Sequence, residues 1–137
     1  MSLTLANRSP VFRWYYFLGL GGLALLWLTY MIRPIFTGAT GSLALVLGFL
    51  PSLGGSFGTP FLLALGLSEW KKRPEILRSW QIFALVNLFV MAMCVLIEYA
   101  HQIFGLGAFH AHDVAASLAG MVAALLVHAL LVKAGKI

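Results

Sequence analysis

The chain has 137 residues, of which 61% are hydrophobic and 9% are charged, and its formal net charge is +5. Soluble globular proteins carry roughly 25% charged residues, so this composition excludes an ordinary soluble domain and indicates an integral membrane protein. The basic residues fall in short clusters between apolar runs, which is typical of topology determinants and not of a nucleic-acid-binding surface. We therefore predict a single all-α membrane domain over residues 1–137, with no nucleic-acid partner.

The first apolar run, residues 14–32, predicts a transmembrane helix. Trp14, Tyr15 and Tyr16 stand at one of its ends, as aromatic residues do at a membrane boundary. A run of this length exceeds the apolar region of a signal peptide, which has about 7–15 residues, and the Arg33-Pro34 that follows is not a small-residue cleavage site. We expect the segment to be retained as the first span.

The second apolar run, residues 42–67, contains two prolines and three glycines between Pro51 and Pro60. Each proline removes a helical hydrogen bond, and hydrocarbon offers no water to replace it. We therefore predict a segment broken by this Pro/Gly stretch or re-entrant, with a short apolar piece near 43–50 and a helix from about residue 60. A continuous, kinked helix is the alternative.

Two further spans are predicted at residues 80–100 and 113–132, separated from the second run by a charged loop at 68–79. With four crossings, eight basic residues lie on one side of the membrane and Arg33 alone lies on the other. Because basic residues are enriched in cytoplasmic segments, we predict cytoplasmic N- and C-termini in a cell (inner) membrane. The eight residues are Arg8, Arg13, Lys71, Lys72, Arg73, Arg78, Lys133 and Lys136.

The region from Glu98 to Gly120 holds two of the chain's four carboxylates and three of its four histidines. An acidic residue in or beside a span is costly, so it indicates a functional site with a partner nearby. A helix over 80–100 places several of these polar groups on one inward face with Cys94, the only cysteine, which we interpret as a packing residue. The candidate catalytic residues are Glu98, Asp113 and His101, and the candidate ligand-binding residues are Gln102, His112, His110, Asn87, Ser52 and Ser117.

Several chemistries remain open for this region. The polar groups suit a pocket for the head of an amphipathic ligand, and a carboxylate with a histidine also suits proton transfer. Asp113 alone would suit the capping of a helix N-terminus. A single Glu98-x-x-His101 is a weak metal motif, and His128, predicted to be interfacial, lies too far along the last span to share a haem with the other histidines. We predict no metal and no cofactor.

Two motifs in the second half of the chain resemble the VanZ-like family of small membrane proteins. They are Glu98-Tyr-Ala-His-Gln102 at the end of one helix, and His112-Asp113 followed by Gly120 at the start of the next. Leu50-Pro51-Ser52 and Pro60-Phe61-Leu62 are similar to the family's proline-bracketed second segment, so the resemblance covers roughly residues 42–124. The chain has Gly105-Leu106-Gly107 where many members have Pro-x-Arg, and Ser117 where many have Asn. The resemblance implies a role in the cell envelope, and the family takes its name from a glycopeptide-resistance protein.

These observations favour a protein that binds, and in one version also modifies, a membrane lipid or an amphipathic glycolipid or glycopeptide at an outward-facing pocket. Whether it is an enzyme is left open. The alternatives are a small accessory subunit of a larger membrane complex and a cofactor-bearing electron-transfer protein. Strips of small residues in the last span, such as Ala116, Gly120 and Ala124, let helices approach closely and are compatible with a homo-oligomer or a larger complex.

Overall fold

The computed structural model describes residues 10–36, 38, 40–105 and 111–135. These residues form four long helices, and short 3₁₀ turns at Arg33–Phe36 and Pro74–Arg78 lie between them. Each long helix is apolar enough and long enough to cross a membrane. The prediction of an all-α, multi-pass membrane bundle is therefore confirmed. The helices are α1 (Pro10–Ile32), α2 (Ser42–Lys71), α3 (Trp80–Ile103) and α4 (Ala111–Lys133).

Successive helices run in opposite directions, so the bundle has two chemically different ends. The start of α1 meets the start of α3 and the end of α4, because Tyr15 contacts both Phe83 and His128. We call this the basic end, because its charged side chains are mostly cationic. The opposite end, which we call the Glu98 end, carries Arg33, Glu98 and Asp113. The basic side chains of the basic end are Arg13, Lys71, Lys72, Arg73, Arg78 and Lys133.

Helix α2 is one continuous helix of 30 residues with Pro51 and Pro60 inside it. The prediction of a broken second segment is therefore wrong, and the alternative of an uninterrupted helix is the one observed. Helix α2 packs against all three other long helices, so the carbonyls that lose their hydrogen bonds at the prolines lie within protein and not against lipid. Because other helices surround α2, the glycines between Pro51 and Pro60 allow close helix packing and do not form a loop.

Glycines bring α1 and α2 into backbone contact. A Cβ added to Gly22 would lie 2.5 Å from the Cα of Gly58, and one added to Gly58 would lie 2.6 Å from the carbonyl oxygen of Gly19. On the other side of α2, a Cβ at Gly120 of α4 would lie 2.5 Å from the carbonyl oxygen of Leu53. Small residues thus let two neighbours approach α2 along its length, as is common in membrane bundles.

Aromatic side chains fill the core of the basic end. Tyr15 is fully buried, and its ring packs edge-on against Phe61 and Phe83 at centroid distances of 5.2 and 5.7 Å. The Tyr15 ring therefore points into the bundle and not toward lipid. Its neighbours Trp14 and Tyr16 retain more exposure, which shows that only one face of this helical turn points inward.

Candidate ligand-binding site

A cavity lies near the Glu98 end, where α1 and α3 stand apart over α2. At the basic end the two helices touch through Tyr15 and Phe83, whereas here the side chains of both line an open space of about 230 Å³. The surface of α2 between Pro51 and Ser56 forms its floor, and Ser117 of α4 closes one side. The full lining is Leu26, Tyr30, Pro51, Ser52, Gly55, Ser56, Cys94, Ile97, Glu98, His101 and Ser117.

Glu98 is the only carboxylate that lines this cavity. Its side chain is half-buried, and among the described residues it has neither a hydrogen-bond partner nor an ion-pair partner. The residue lies five positions before the end of α3, which corresponds to about 8 Å along the helix. A carboxylate at this depth is costly without a partner, so its placement beside an open cavity is the feature that points to a ligand.

Hydroxyl-bearing residues from three helices line the same space. They are Tyr30 of α1, Ser52 and Ser56 of α2, and Ser117 of α4. Ser56 donates to the carbonyl oxygen of Leu53 at 3.1 Å. Cys94 lines the cavity together with Glu98 and Ser117, so it belongs to the cavity wall and is not only a packing residue.

Four of the sequence-predicted residues therefore come together. Glu98 and His101 are three positions apart on α3 and face the cavity, and Ser52 and Ser117 complete the group from α2 and α4. Side chains three positions apart on a helix are neighbours, so a carboxylate and an imidazole stand together at one wall.

Asp113 is not among the lining residues of this cavity. It lies in the first turn of α4, one helical turn before Ser117, and thus about 6 Å closer to the helix start. One carboxylate oxygen of Asp113 is buried and has no hydrogen-bond partner among the described residues, and it lies 3.6 Å from Nε2 of His112. The two acidic residues therefore occupy the same end of the bundle without lining the same space.

The remaining predicted residues lie elsewhere. Gln102 is exposed at the end of α3, and His112 lines a separate apolar groove of about 380 Å³ with side chains from the start of α2. His110 lies outside the described residues. Asn87 is buried in the middle of α3, where its Nδ2 donates to the carbonyl oxygen of Phe83 at 3.0 Å. Asn87 lies 11 residues, or about 16 Å, from Glu98 along the helix. We therefore assign Asn87 a role in packing and not in the site.

A second polar network, at the basic end, was missed by the sequence analysis. The Tyr15 hydroxyl donates to the carbonyl oxygen of Leu77 at 2.7 Å. Since that uses its only proton, Nδ1–H of His128 donates to the Tyr15 oxygen, also at 2.7 Å. The His128 ring is fully buried and stacks on Phe83 at a centroid distance of 4.2 Å. The interfacial position expected for His128 is therefore incorrect, and no local pattern pairs a residue of α1 with one of α4.

The cavity can hold part of a molecule. Sites for whole drug-sized ligands measure roughly 300–1,000 Å³, so the volume here, about 230 Å³, fits one polar group. A carboxylate and several hydroxyls would accept hydrogen bonds from hydroxyl or amine groups of that part. Apolar side chains such as Leu26 and Ile97 stand beside them and lead to the lipid-facing surface, where an apolar tail would lie.

Fold and site together define a multi-pass membrane protein with a cavity between its helices, lined by apolar side chains and by a carboxylate and hydroxyl-bearing residues. Comparison of the chain with models of protein families, with curated proteins and with solved structures finds no match.

Proposed function

We propose that the protein binds an amphipathic glycolipid or glycopeptide of the cell envelope, with the polar part of the ligand in the cavity beside Glu98. The observation that carries the proposal is a half-buried carboxylate, without a partner among the described residues, facing an open space lined by hydroxyls. Hydroxyl-rich heads offer the donors that such a carboxylate accepts. Tails would lie against exposed apolar side chains such as Ile97.

Membership of the VanZ-like family is part of this proposal. Its support is that the motif residues Glu98, Gln102 and Asp113 occupy one end of adjacent helices, and that Gly120 packs against α2. A role in the cell envelope follows from that resemblance. Whether the ligand is also modified rests on Glu98 and His101, a pair suited to proton transfer, and product analysis of bound material would decide it.

We further propose that the basic end is cytoplasmic and that the Glu98 end faces outward in a cell (inner) membrane. Its support is the distribution of basic side chains, which among the described residues places six at the basic end and only Arg33 at the other. A reporter enzyme fused after residue 135 should be active only in its cytoplasmic form. Activity of an exported reporter at that position would contradict the orientation.

The decisive experiment compares Glu98→Gln with Glu69→Gln, which makes the same chemical change at the other end of the bundle. Each protein is purified in mild detergent, and copurifying lipids and glycopeptides are quantified by mass spectrometry. Loss of a charged hydrogen bond costs about 1.5–3 kcal/mol, so Glu98→Gln should lower the retained species about 10- to 150-fold. Equal retention in the two variants would refute the proposal.

Cys94 offers an independent readout because it lines the cavity and is the only cysteine. A bound head group should slow alkylation of Cys94 by N-ethylmaleimide in native membranes. Removal of lipid with detergent should then accelerate the reaction in the wild-type protein and have little effect in Glu98→Gln. The same rate before and after lipid removal in wild-type protein would show that nothing occupies the cavity.

A second function is favoured by the apolar side chains at the tips of the Glu98 end. Ile35, Phe36, Ile103 and Phe104 are all exposed beyond or at the helix termini, where lipid head groups and not tails are expected. Such a surface suits contact with another membrane protein and hence the accessory-subunit role. Comigration with a larger complex on native gels, unchanged by Glu98→Gln but lost with Phe104→Ser, would favour this function.

A further inference from the structure

The basic end contains a groove that the proposed function does not use. It measures about 820 Å³ and runs between the end of α2, the Pro74–Arg78 turn and the start of α3. Its lining combines two cationic side chains with aliphatic ones, and two of the aliphatic residues, Leu67 and Ile82, lie further along α2 and α3 toward the middle of the bundle. The lining is Leu67, Lys71, Arg73, Glu75, Ile76, Ser79 and Ile82.

From this arrangement we propose that the groove is a binding site for an anionic phospholipid, with the phosphate held between Lys71 and Arg73. Basic pockets between transmembrane helices are suited to such head groups because the cations neutralise the phosphate at the membrane surface. Leu67 and Ile82 lie on the membrane side of the groove, where acyl chains would pass. The site is at the opposite end of the bundle from Glu98 and is independent of the ligand proposed there.

The backbone that carries Arg73 is fixed in place. Its N–H donates to the carbonyl oxygen of Ser68 at 3.0 Å, and its carbonyl oxygen accepts from the Ser68 hydroxyl at 3.1 Å. Lys72 adopts a left-handed conformation with φ of 54°, which ends α2 and turns the chain across the groove. The point from which the Arg73 side chain extends is therefore fixed at the groove before a ligand arrives.

The position of the groove matches the level of lipid head groups. Three of the four tryptophans, Trp14, Trp70 and Trp80, are partly or largely exposed at the basic end, and tryptophan is enriched at membrane interfaces. The Lys71 ammonium lies 4.1 Å from the centre of the Trp70 ring, within reach of the interface. Ser79 caps α3 by accepting from the N–H of Ile82 at 3.3 Å, so the positive end of that helix adjoins the groove.

Glu75 also lines the groove, so replacement of its carboxylate should change lipid binding in a direction that depends on the charge of the ligand. A carboxylate opposes a bound phosphate, so Glu75→Gln should strengthen the binding of an anionic lipid. If the site instead accepted the ammonium of phosphatidylethanolamine, Glu75→Gln would weaken binding and the anionic assignment would fail.

The experiment measures binding of phosphatidylglycerol, phosphatidylethanolamine and phosphatidylcholine to the purified chain by native mass spectrometry. Lys71→Gln with Arg73→Gln is compared with Lys72→Gln with Arg78→Gln, which removes the same charge from side chains outside the groove. Each basic group near a membrane surface is worth about 1 kcal/mol, or roughly fivefold, so the groove variant should bind phosphatidylglycerol about 25-fold more weakly. The control pair should change binding less than about fivefold.

All four replaced side chains are exposed, so both variants should fold, and circular dichroism of each confirms that the comparison is valid. Selective loss of phosphatidylglycerol in the groove variant, together with a gain in Glu75→Gln, would support the site. Equal losses in the two double variants would show a diffuse surface charge and overturn it, as would equal binding of the three lipids by the wild-type protein.

Discussion

Replacement of Gly58 by alanine tests the contact between α1 and α2, which sets the geometry of the bundle. The new Cβ would lie 2.6 Å from the carbonyl oxygen of Gly19, 2.8 Å from the Cα of Gly22 and 3.1 Å from the nitrogen of Leu23. All three are backbone atoms, so no side-chain rotation relieves the contact and the helices must separate. Overpacking of this kind costs about 1–3 kcal/mol of unfolding free energy.

Gly66→Ala is the matched control because it lies on the same helix and a Cβ there meets nothing within 4 Å. Both substitutions gain the helix preference of alanine over glycine, about 1 kcal/mol, so this gain cancels when the two variants are compared. Unfolding by sodium dodecyl sulfate in mixed micelles, followed by circular dichroism, should place Gly58→Ala about 1–3 kcal/mol below Gly66→Ala. Equal stability of the two variants would show that α1 and α2 are not in backbone contact here.

Two further predictions use the same unfolding assay. Tyr15→Phe should lower the unfolding free energy by about 1–3 kcal/mol, because it leaves the Leu77 carbonyl and His128 without their shared partner. The control Tyr16→Phe should change the unfolding free energy by less than about 0.5 kcal/mol. Similar effects of the two substitutions would contradict the hydrogen-bond network around Tyr15. Asn87→Leu should keep or raise stability, because the side-chain amide oxygen is buried without a hydrogen-bond partner in the part of the chain that the structure describes, and it should leave the copurifying ligand unchanged. Ligand loss in that variant would place Asn87 in the site after all.

Hydropathy and length were sufficient to predict the four spans, because a membrane restricts the chain to helices of about 20 apolar residues. The ends of α1, α3 and α4 lie within a few residues of the predicted ones. The predicted break in the second segment was wrong because it considered only the helical hydrogen bond that each proline removes. The surroundings of a proline decide whether the helix continues through it, and Pro51 and Pro60 are both buried within the bundle.

The site residues that lie on the same helix were predictable from the sequence. Glu98 and His101 share a face of α3 by their spacing alone, and the cavity includes both. The partners from other helices depend on packing angles that no local pattern contains. Tyr30 and Ser56 were missed for this reason, and Asp113, which was expected beside Glu98, does not line the cavity.

The cavity follows from the same packing that joins the helices. Glycines hold α1 close to α2 at Gly54 and Gly58, and Gly120 holds α4 close to Leu53. Helix α3 contains no glycine, and its fully buried Phe83 packs it into the aromatic core of the basic end. Because the exposed floor of α2 at this level consists of small residues, Ser52 and Gly55, no side chain fills the space that remains between α1 and α3. The Pro/Gly stretch of α2 is therefore what creates room for a ligand beside a carboxylate.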